Sequence, residues 1–173
     1  MSELLMAVLI MSLMTLVLTS GINASTRVYN DAVTYSEKRV LLSTLSEAVM
    51  AEIRNGTDFQ KVEGDDSGNQ FTFTSKNYGS KVSFSVAQED SAEKHCKKGQ
   101  LLIGGNPVIS SGSYSNEKIT LTDLGAVPDP DIDPVNTAFK MSEDDNGKVS
   151  VEVCLVLQGG EFRRFTVSPM MEQ

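Results

Sequence analysis

Apolar and polar positions divide the chain into three stretches of different periodicity. The first stretch holds 19 consecutive uncharged residues, from Leu4 to Ile22, and few of them are polar. The second stretch, from Asn23 to Asn55, has neither proline nor glycine, and its apolar residues recur mostly at steps of three or four. The third begins after Gly56 and consists of short runs in which apolar and polar residues alternate. These patterns predict an apolar helix, an amphipathic helix and a set of β-strands, in that order.

The apolar stretch has the length of a membrane-spanning helix. At about 1.5 Å per residue, such a helix nearly matches the hydrocarbon core of a bilayer, which is about 30 Å thick. Residues 1–24 are therefore predicted to form a hydrophobic membrane or assembly helix.

Residues 25–56 are predicted to continue the same helix in amphipathic form. No loop signal separates the two halves, although Gly21 lowers helix stability locally and is a candidate bend. One helix from Glu3 to Asn55 would be about 80 Å long, which globular domains seldom contain. Asn55-Gly56 predicts its end, with Gly56 in a left-handed conformation. The apolar residues that share one face are Val28, Ala32, Tyr35, Leu42, Leu45, Val49 and Ile53.

Residues 57–173 are predicted to form a β-rich domain. Alternating runs predict strands in QFTFT, KVSFSV, KITLT, the long VSVEVCLVLQ and the final FTV. Hairpin turns are predicted at Asp145-Asn146-Gly147, Gly159-Gly160 and Gly104-Gly105-Asn106-Pro107. Short connections imply antiparallel neighbours, and the apolar face of such a sheet needs a partner, which the amphipathic helix supplies. The predicted fold class is α+β: a long helix packed on a small antiparallel sheet, lollipop-like in outline.

The charge distribution argues against nucleic acid as a partner of the isolated chain. The net charge is −8, and beyond residue 56 the chain holds 11 basic and 18 acidic residues. An acidic surface repels phosphate backbones, and the longest basic run in this region is Lys97-Lys98.

No pattern of catalytic residues is recognisable, so we expect no enzyme and no cofactor. His95 and Cys96 place a base beside a nucleophile, but adjacent side chains rarely converge and no third group is identifiable. Asp129, Asp131 and Asp133 are weak candidates for a calcium loop, since three prolines among them favour a stiff, solvated loop instead.

The apolar N-terminus has three interpretations. A cleaved secretion signal requires a basic residue before its apolar run, whereas Glu3 is acidic. A plain anchor is oriented by nearby basic residues, and these lie on the C-terminal side, at Arg27, Lys38 and Arg39. That distribution would keep the domain in the cytoplasm unless a basic leader once preceded Met1. The third interpretation is a more specialised helix. An acid beside an apolar helix is a candidate functional residue, and the alternative is that Glu3 lies in the headgroup region near the terminal amine without a function.

The segment SELLMAVLIMSLMTLVLTSGI resembles the N-terminus of type IV pilins and pseudopilins just after their leader-cleavage site. Ser2-Glu3-Leu4-Leu5 matches the end of that motif, and Glu3 falls on the family's glutamate. The basic leader, the cleavage glycine and the methylated aromatic residue are absent from this sequence. The motif covers Ser2 to Ile22 alone, and the layout of the rest of the chain supports the resemblance.

The resemblance implies a minor pilin or pseudopilin that assembles into a type IV pilus-like surface filament or a secretion or competence pseudopilus. Glu3 would pair with the N-terminal amine of a neighbouring subunit. Other pilin subunits, the membrane, a prepilin peptidase and the pilus assembly machinery would be its partners. It would cross the membrane once before assembly and then lie in an extracellular, cell-surface filament. The alternative is a singly anchored extracellular binding or adhesion module that does not polymerise.

Cys96 and Cys154 are candidates for a disulfide bond in the exported protein. Cys154 alternates out of the apolar face formed by Val151, Val153 and Leu155, and Cys96 lies in the polar segment EKHCKK. Both thiols are therefore expected on accessible surfaces of an oxidising compartment, where they would pair. Two unrelated free cysteines are the alternative.

Overall fold

The computed structural model describes residues 2–62, 68–92, 95–110, 119–126, 133–145 and 147–170. Within these residues the chain is α+β, with one long helix followed by strands in three small antiparallel sheets. The helix is α1 (Ser2–Asn55). The strands are β1 (Thr57–Lys61), β2 (Phe71–Ser75), β3 (Gly79–Val82), β4 (Phe84–Val86), β5 (Leu101–Ile103), β6 (Asn106–Pro107), β7 (Ala138–Glu143), β8 (Val149–Val156) and β9 (Phe162–Val167).

The chain divides into two units, and the division falls inside α1. The first unit ends at Glu37 and is helical throughout its described residues. The second unit begins at Lys38, and we call it the compact unit because it contains the last part of α1, all the strands and the apolar core.

The last part of α1 is buried against the sheets of the compact unit. Leu42, Leu45, Val49 and Ile53 are all buried in the main core, which confirms the predicted apolar face over this stretch. The earlier members of the predicted face do not share this burial, since Val28 is 69% and Tyr35 is 46% exposed. Burial on α1 therefore begins at Leu41.

Helix α1 ends at Asn55, as predicted, but Gly56 does not adopt the left-handed conformation. Its role is close packing. A Cβ atom at this position would lie 3.0 Å from the Glu52 carbonyl oxygen and 3.0 Å from ring carbons of both Phe59 and Phe73. A larger residue would crowd these atoms, because the chain turns back onto the aromatic core immediately after the helix.

The structure has three sheets where the sequence predicted one small sheet. Their strand orders are β1-β2-β3, β4-β5-β6 and β7-β8-β9, and every neighbouring pair is antiparallel. The run KVSFSV, predicted as one strand, changes sheet at Ser83: Val82 pairs with Phe73, whereas Phe84 pairs with Ile103. Lys81 takes a positive φ of 54°, and this local twist directs the chain from one sheet to the next.

Two further strand predictions differ from the structure. KITLT was predicted to be a strand, but Leu121 forms only an isolated bridge with Leu157. Ile119 and Leu121 are nevertheless buried, so their alternation reports burial and not membership of a sheet. Strand β1 was not predicted, because Phe59 is its only buried residue and its sequence, TDFQK, shows no apolar period.

The predicted reversals occur where the sequence indicated. Strands β5 and β6 are joined by Gly104 and Gly105, which both have positive φ angles, as a two-residue hairpin requires. Gly159 and Gly160 lie between β8 and β9. Asp145 and Gly147 lie between β7 and β8, and Asn146 of that predicted turn is outside the described residues.

Candidate functional site

The first unit presents an apolar helix surface without cover. From Leu4 to Ile22 every large apolar side chain is exposed, with exposed fractions between 55% and 75%. By length and composition this part of α1 is sufficient to cross a membrane. The core helix of a soluble protein has a similar composition but is covered by its own domain, so the exposure separates this segment from a core helix. We call residues Leu4 to Ile22 the apolar segment.

Four hydroxyl groups in and next to the apolar segment donate hydrogen bonds to carbonyl oxygens one turn back in the helix. Ser12 and Thr15 donate to the carbonyl oxygens of Val8 and Met11, both at 2.8 Å. Thr19 and Thr26 donate in the same way, to Thr15 at 2.8 Å and to Ile22 at 2.9 Å. A polar group without a partner is costly in hydrocarbon, and these bonds remove that cost. Ser12, Thr15 and Thr19 are thus compatible with an apolar environment around the segment.

Glu3 lies in the first turn of α1 and is exposed. A carboxylate in this position interacts favourably with the positive end of the helix dipole. Next to a long apolar surface it also needs a compensating cation whenever that surface is taken out of water. Among the described residues, no ion pair involves Glu3. The geometry therefore places one acid at the end of an uncovered apolar helix.

The candidate calcium loop lies largely outside the described residues. Asp129 and Asp131 are in that part of the chain, and Asp133 is exposed. Within the described ranges, no group of three or more His, Cys, Asp or Glu side chains is placed to hold a metal ion.

Both cysteines are free and buried, so the prediction that they lie on accessible surfaces is wrong. Cys96 packs with Ala87 and Leu102, whereas Cys154 belongs to a different cluster, with Ala138 and Val156. Burial raises the pKa of the Cys154 thiol, and the neighbouring Arg164 offsets part of that increase. A buried thiol of raised pKa is a poor nucleophile, and Cys154 therefore acts here as a small apolar core residue.

His95 and Cys96 do not form a joint site in the structure. His95 is exposed and has a positive φ of 51°, while Cys96 is buried. The side chain of His95 is thus in solvent, whereas the thiol of Cys96 is not.

No known protein family, curated protein or solved structure matches this chain.

Proposed function

We propose that this chain is a structural subunit, of the minor pilin or pseudopilin kind, in a type IV pilus-like surface filament or a secretion or competence pseudopilus. The observation that carries the proposal is the uncovered apolar segment of α1, with Glu3 in its first turn. The end of the same helix is buried in an α+β unit, an arrangement that suits a pilin-like subunit.

In this role the apolar segments of many subunits pack together, first in the membrane and then in the filament core. Glu3 pairs with the N-terminal amine of a neighbouring subunit, since a carboxylate among apolar helices requires an opposite charge. The compact unit then forms the outer, extracellular surface. The proposed partners are other pilin subunits, a prepilin peptidase and the pilus assembly machinery, and no catalytic activity is proposed.

A singly anchored extracellular binding module is the second candidate. It is favoured by the same observation, because an exposed apolar helix long enough to span a bilayer is also sufficient as a simple anchor. In that case the chain stays monomeric in the membrane, and Glu3 has no function.

The experiment that separates the two is removal of the Glu3 carboxylate. We expect Glu3→Ala to abolish or sharply reduce incorporation of the chain into filaments, while its amount in the membrane stays normal. Filaments are sheared from cells, and the chain is quantified by immunoblot in the sheared and membrane fractions. Asp31→Ala is the matched control, because Asp31 is also exposed on α1 but lies beyond the apolar segment. Incorporation of the Glu3→Ala variant at the wild-type level would contradict the proposed role of Glu3, and absence of the wild-type chain from filaments would favour the anchored module.

A further inference from the structure

Residues 25–33 of α1 are exposed on every side of the helix, and we call them the linking stretch. They follow the apolar segment, which ends at Ile22, and they precede the first buried residue of α1, which is Leu41. A bilayer that takes up the apolar segment leaves the linking stretch outside its hydrocarbon core, because about 20 helical residues fill that core. The helical state of the linking stretch therefore depends on the intrinsic preference of its own residues.

The residues of the linking stretch have a weak preference for the helix. Seven of the nine are Ser, Thr, Val, Tyr, Asn or Asp, and only Arg27 and Ala32 are strong helix formers. Valine, threonine and tyrosine lose rotamer freedom in a helix, and the side chains of Ser, Asn and Asp compete for backbone hydrogen bonds. Opening inside a helix creates two new ends, so it requires many consecutive residues that prefer other conformations. The linking stretch is such a run, whereas residues 45–54 of the same helix are mostly Leu, Glu, Ala, Met and Arg.

A helix-start signal follows the linking stretch directly. Thr34 and Glu37 have the spacing of a capping box, in which the hydroxyl and the acid each accept a hydrogen bond from the other residue's backbone N–H. In the structure α1 continues through Thr34, so the N–H of Glu37 is inside a continuous helix. The division of the chain into two units falls immediately after Glu37. The sequence thus contains a second helix start within α1, at the beginning of the compact unit.

We propose that the linking stretch is a joint of α1, which unwinds locally while the helix of the compact unit restarts at Thr34. In the open state the backbone groups of residues 25–33 are hydrated, and the side chains of Thr34 and Glu37 cap the new helix end. Opening removes no residue from the apolar core, because burial on α1 begins at Leu41. The compact unit can then change its direction while the apolar segment stays in the membrane. This joint does not depend on filament assembly, since a simple anchor contains the same linking stretch.

Hydrogen exchange detected by mass spectrometry tests the joint on the full-length chain in detergent micelles. We expect the amides of residues 25–33 to exchange at least about a hundredfold faster than those of residues 42–53, because the joint opens without unfolding the compact unit. Residues 8–20 should exchange slowly because detergent covers them. Residues 38–41 should also exchange slowly, because they follow the helix start at Thr34.

Variants of the linking stretch and of its cap change the opening in a stated direction. Asn30→Ala combined with Val33→Ala strengthens the helix, and we expect exchange of residues 25–33 to slow at least about tenfold. Thr34→Ala removes the cap of the open state and should slow exchange at least about threefold, whereas Thr34→Ser keeps a capping hydroxyl and should exchange as the wild type does. Thr44→Ala is the matched control, because Thr44 is also exposed on α1 but lies beyond the joint, and we expect wild-type exchange of residues 25–33.

Four results would overturn the proposal. Equal exchange of residues 25–33 and 42–53 would show that α1 stays closed as one helix. Exchange of residues 38–41 as fast as that of the linking stretch would show that the helix frays up to its buried end and does not restart at Thr34. Fast exchange of residues 8–20 as well would show that the whole first unit unfolds. Equal exchange of the Thr34→Ala and Thr34→Ser variants would show that the hydroxyl of Thr34 does not cap an open state.

Discussion

Gly56 directly follows α1 and lies in close contact with the aromatic core of the compact unit. Two aromatic rings and a backbone carbonyl already lie at 3.0 Å from where its Cβ would be. We expect Gly56→Ala to destabilise the compact unit by about 1–3 kcal/mol, the range typical of overpacked cores. Urea unfolding followed by circular dichroism measures this change. Gly21→Ala is the control, since its Cβ would meet nothing within 4 Å and alanine favours the helix, so we expect no loss of stability.

The hydroxyl group of Ser75 forms hydrogen bonds with three other groups. Its buried hydroxyl donates to the Glu52 carboxylate at 2.7 Å and accepts from the backbone N–H groups of Asn77 and Tyr78, both at 3.1 Å. Ser75→Ala removes this hydroxyl and leaves its three partners without that hydrogen bond. We expect this to lower the free energy of unfolding by about 1–3 kcal/mol. We therefore expect a lower thermal midpoint, measured by circular dichroism. Ser80→Ala, on the exposed part of β3, should have the wild-type midpoint, and an equal effect of both variants would contradict the role of the Ser75 network.

At the scale of elements, the β8–β9 hairpin is tied to α1 where the compact unit begins. The Lys38 ammonium donates to the Glu161 carboxylate at 2.7 Å, and the Arg163 guanidinium donates to the Ser43 hydroxyl at 3.3 Å. The hydrogen bond from Lys38 is the main cause of a lowered pKa at Glu161, below its ordinary value of 4.5. Hairpin and helix are thus held together by a charge pair that depends on the ionisation of one carboxyl group.

The lowered pKa of Glu161 determines how the contribution of the Lys38–Glu161 ion pair to stability depends on pH. Because the folded pKa is below the unfolded one, the pair contributes its full stability above about pH 4.5 and loses it as the pH falls through the folded pKa. We expect Glu161→Gln to lower the free energy of unfolding by up to about 1 kcal/mol at pH 7, as for a partly exposed pair. The difference from wild type should shrink toward zero in strongly acidic buffer. Urea unfolding at both pH values measures it, with Glu47→Gln as the exposed control. A difference that persists in strong acid would show that the carboxylate charge is not its cause.

The elements that the sequence predicted are those whose periodicity is set by one buried face. Strand β8 alternates as expected from Val149 to Val153, and the helix face from Leu42 to Ile53 is buried as expected. From Val153 to Val156, however, β8 is buried on both faces. Thr122 donates its N–H to the Val156 carbonyl at 2.9 Å, so an irregular connection covers the second face. The alternation of apolar and polar residues does not predict such a connection, and the burial of Cys154 could therefore not be predicted from the sequence.

The candidate sites divide in the same way. The apolar segment and Glu3 could be identified from sequence, because an uncharged run depends only on local composition. The contact between the rings of Phe71, Phe84 and Phe139 could not, since these residues lie in three different sheets and meet only where the sheets pack together. Sheet pairing also explains why KVSFSV was predicted as one strand: Val82 and Phe84 alternate correctly, but they find partners in different sheets.

At the scale of the whole molecule, the apolar core and the apolar segment are independent. The core residues of the compact unit begin at Leu41, whereas the apolar segment ends at Ile22. The segment contributes no buried residue to that core. We therefore expect the chain without Met1 to Asn23 to be soluble without detergent, because deletion removes the whole apolar segment and leaves the core complete.

The deleted chain is tested by size-exclusion chromatography and circular dichroism. We expect a soluble protein with mixed helix and sheet and a single cooperative thermal transition, since each strand and the buried end of α1 are still present. Its unfolding in urea should respond to Gly56→Ala as the full-length chain does, because Phe59 and Phe73, which the new methyl group would crowd, are both retained. A truncation of the same kind that ends at Val49 is the comparison. It removes Leu41, Leu42, Leu45 and Val49 from the core, and we expect it to aggregate or unfold. If the first deletion behaved like the second, the apolar segment would have to be part of the folded core and could not be free to act as a membrane or assembly helix.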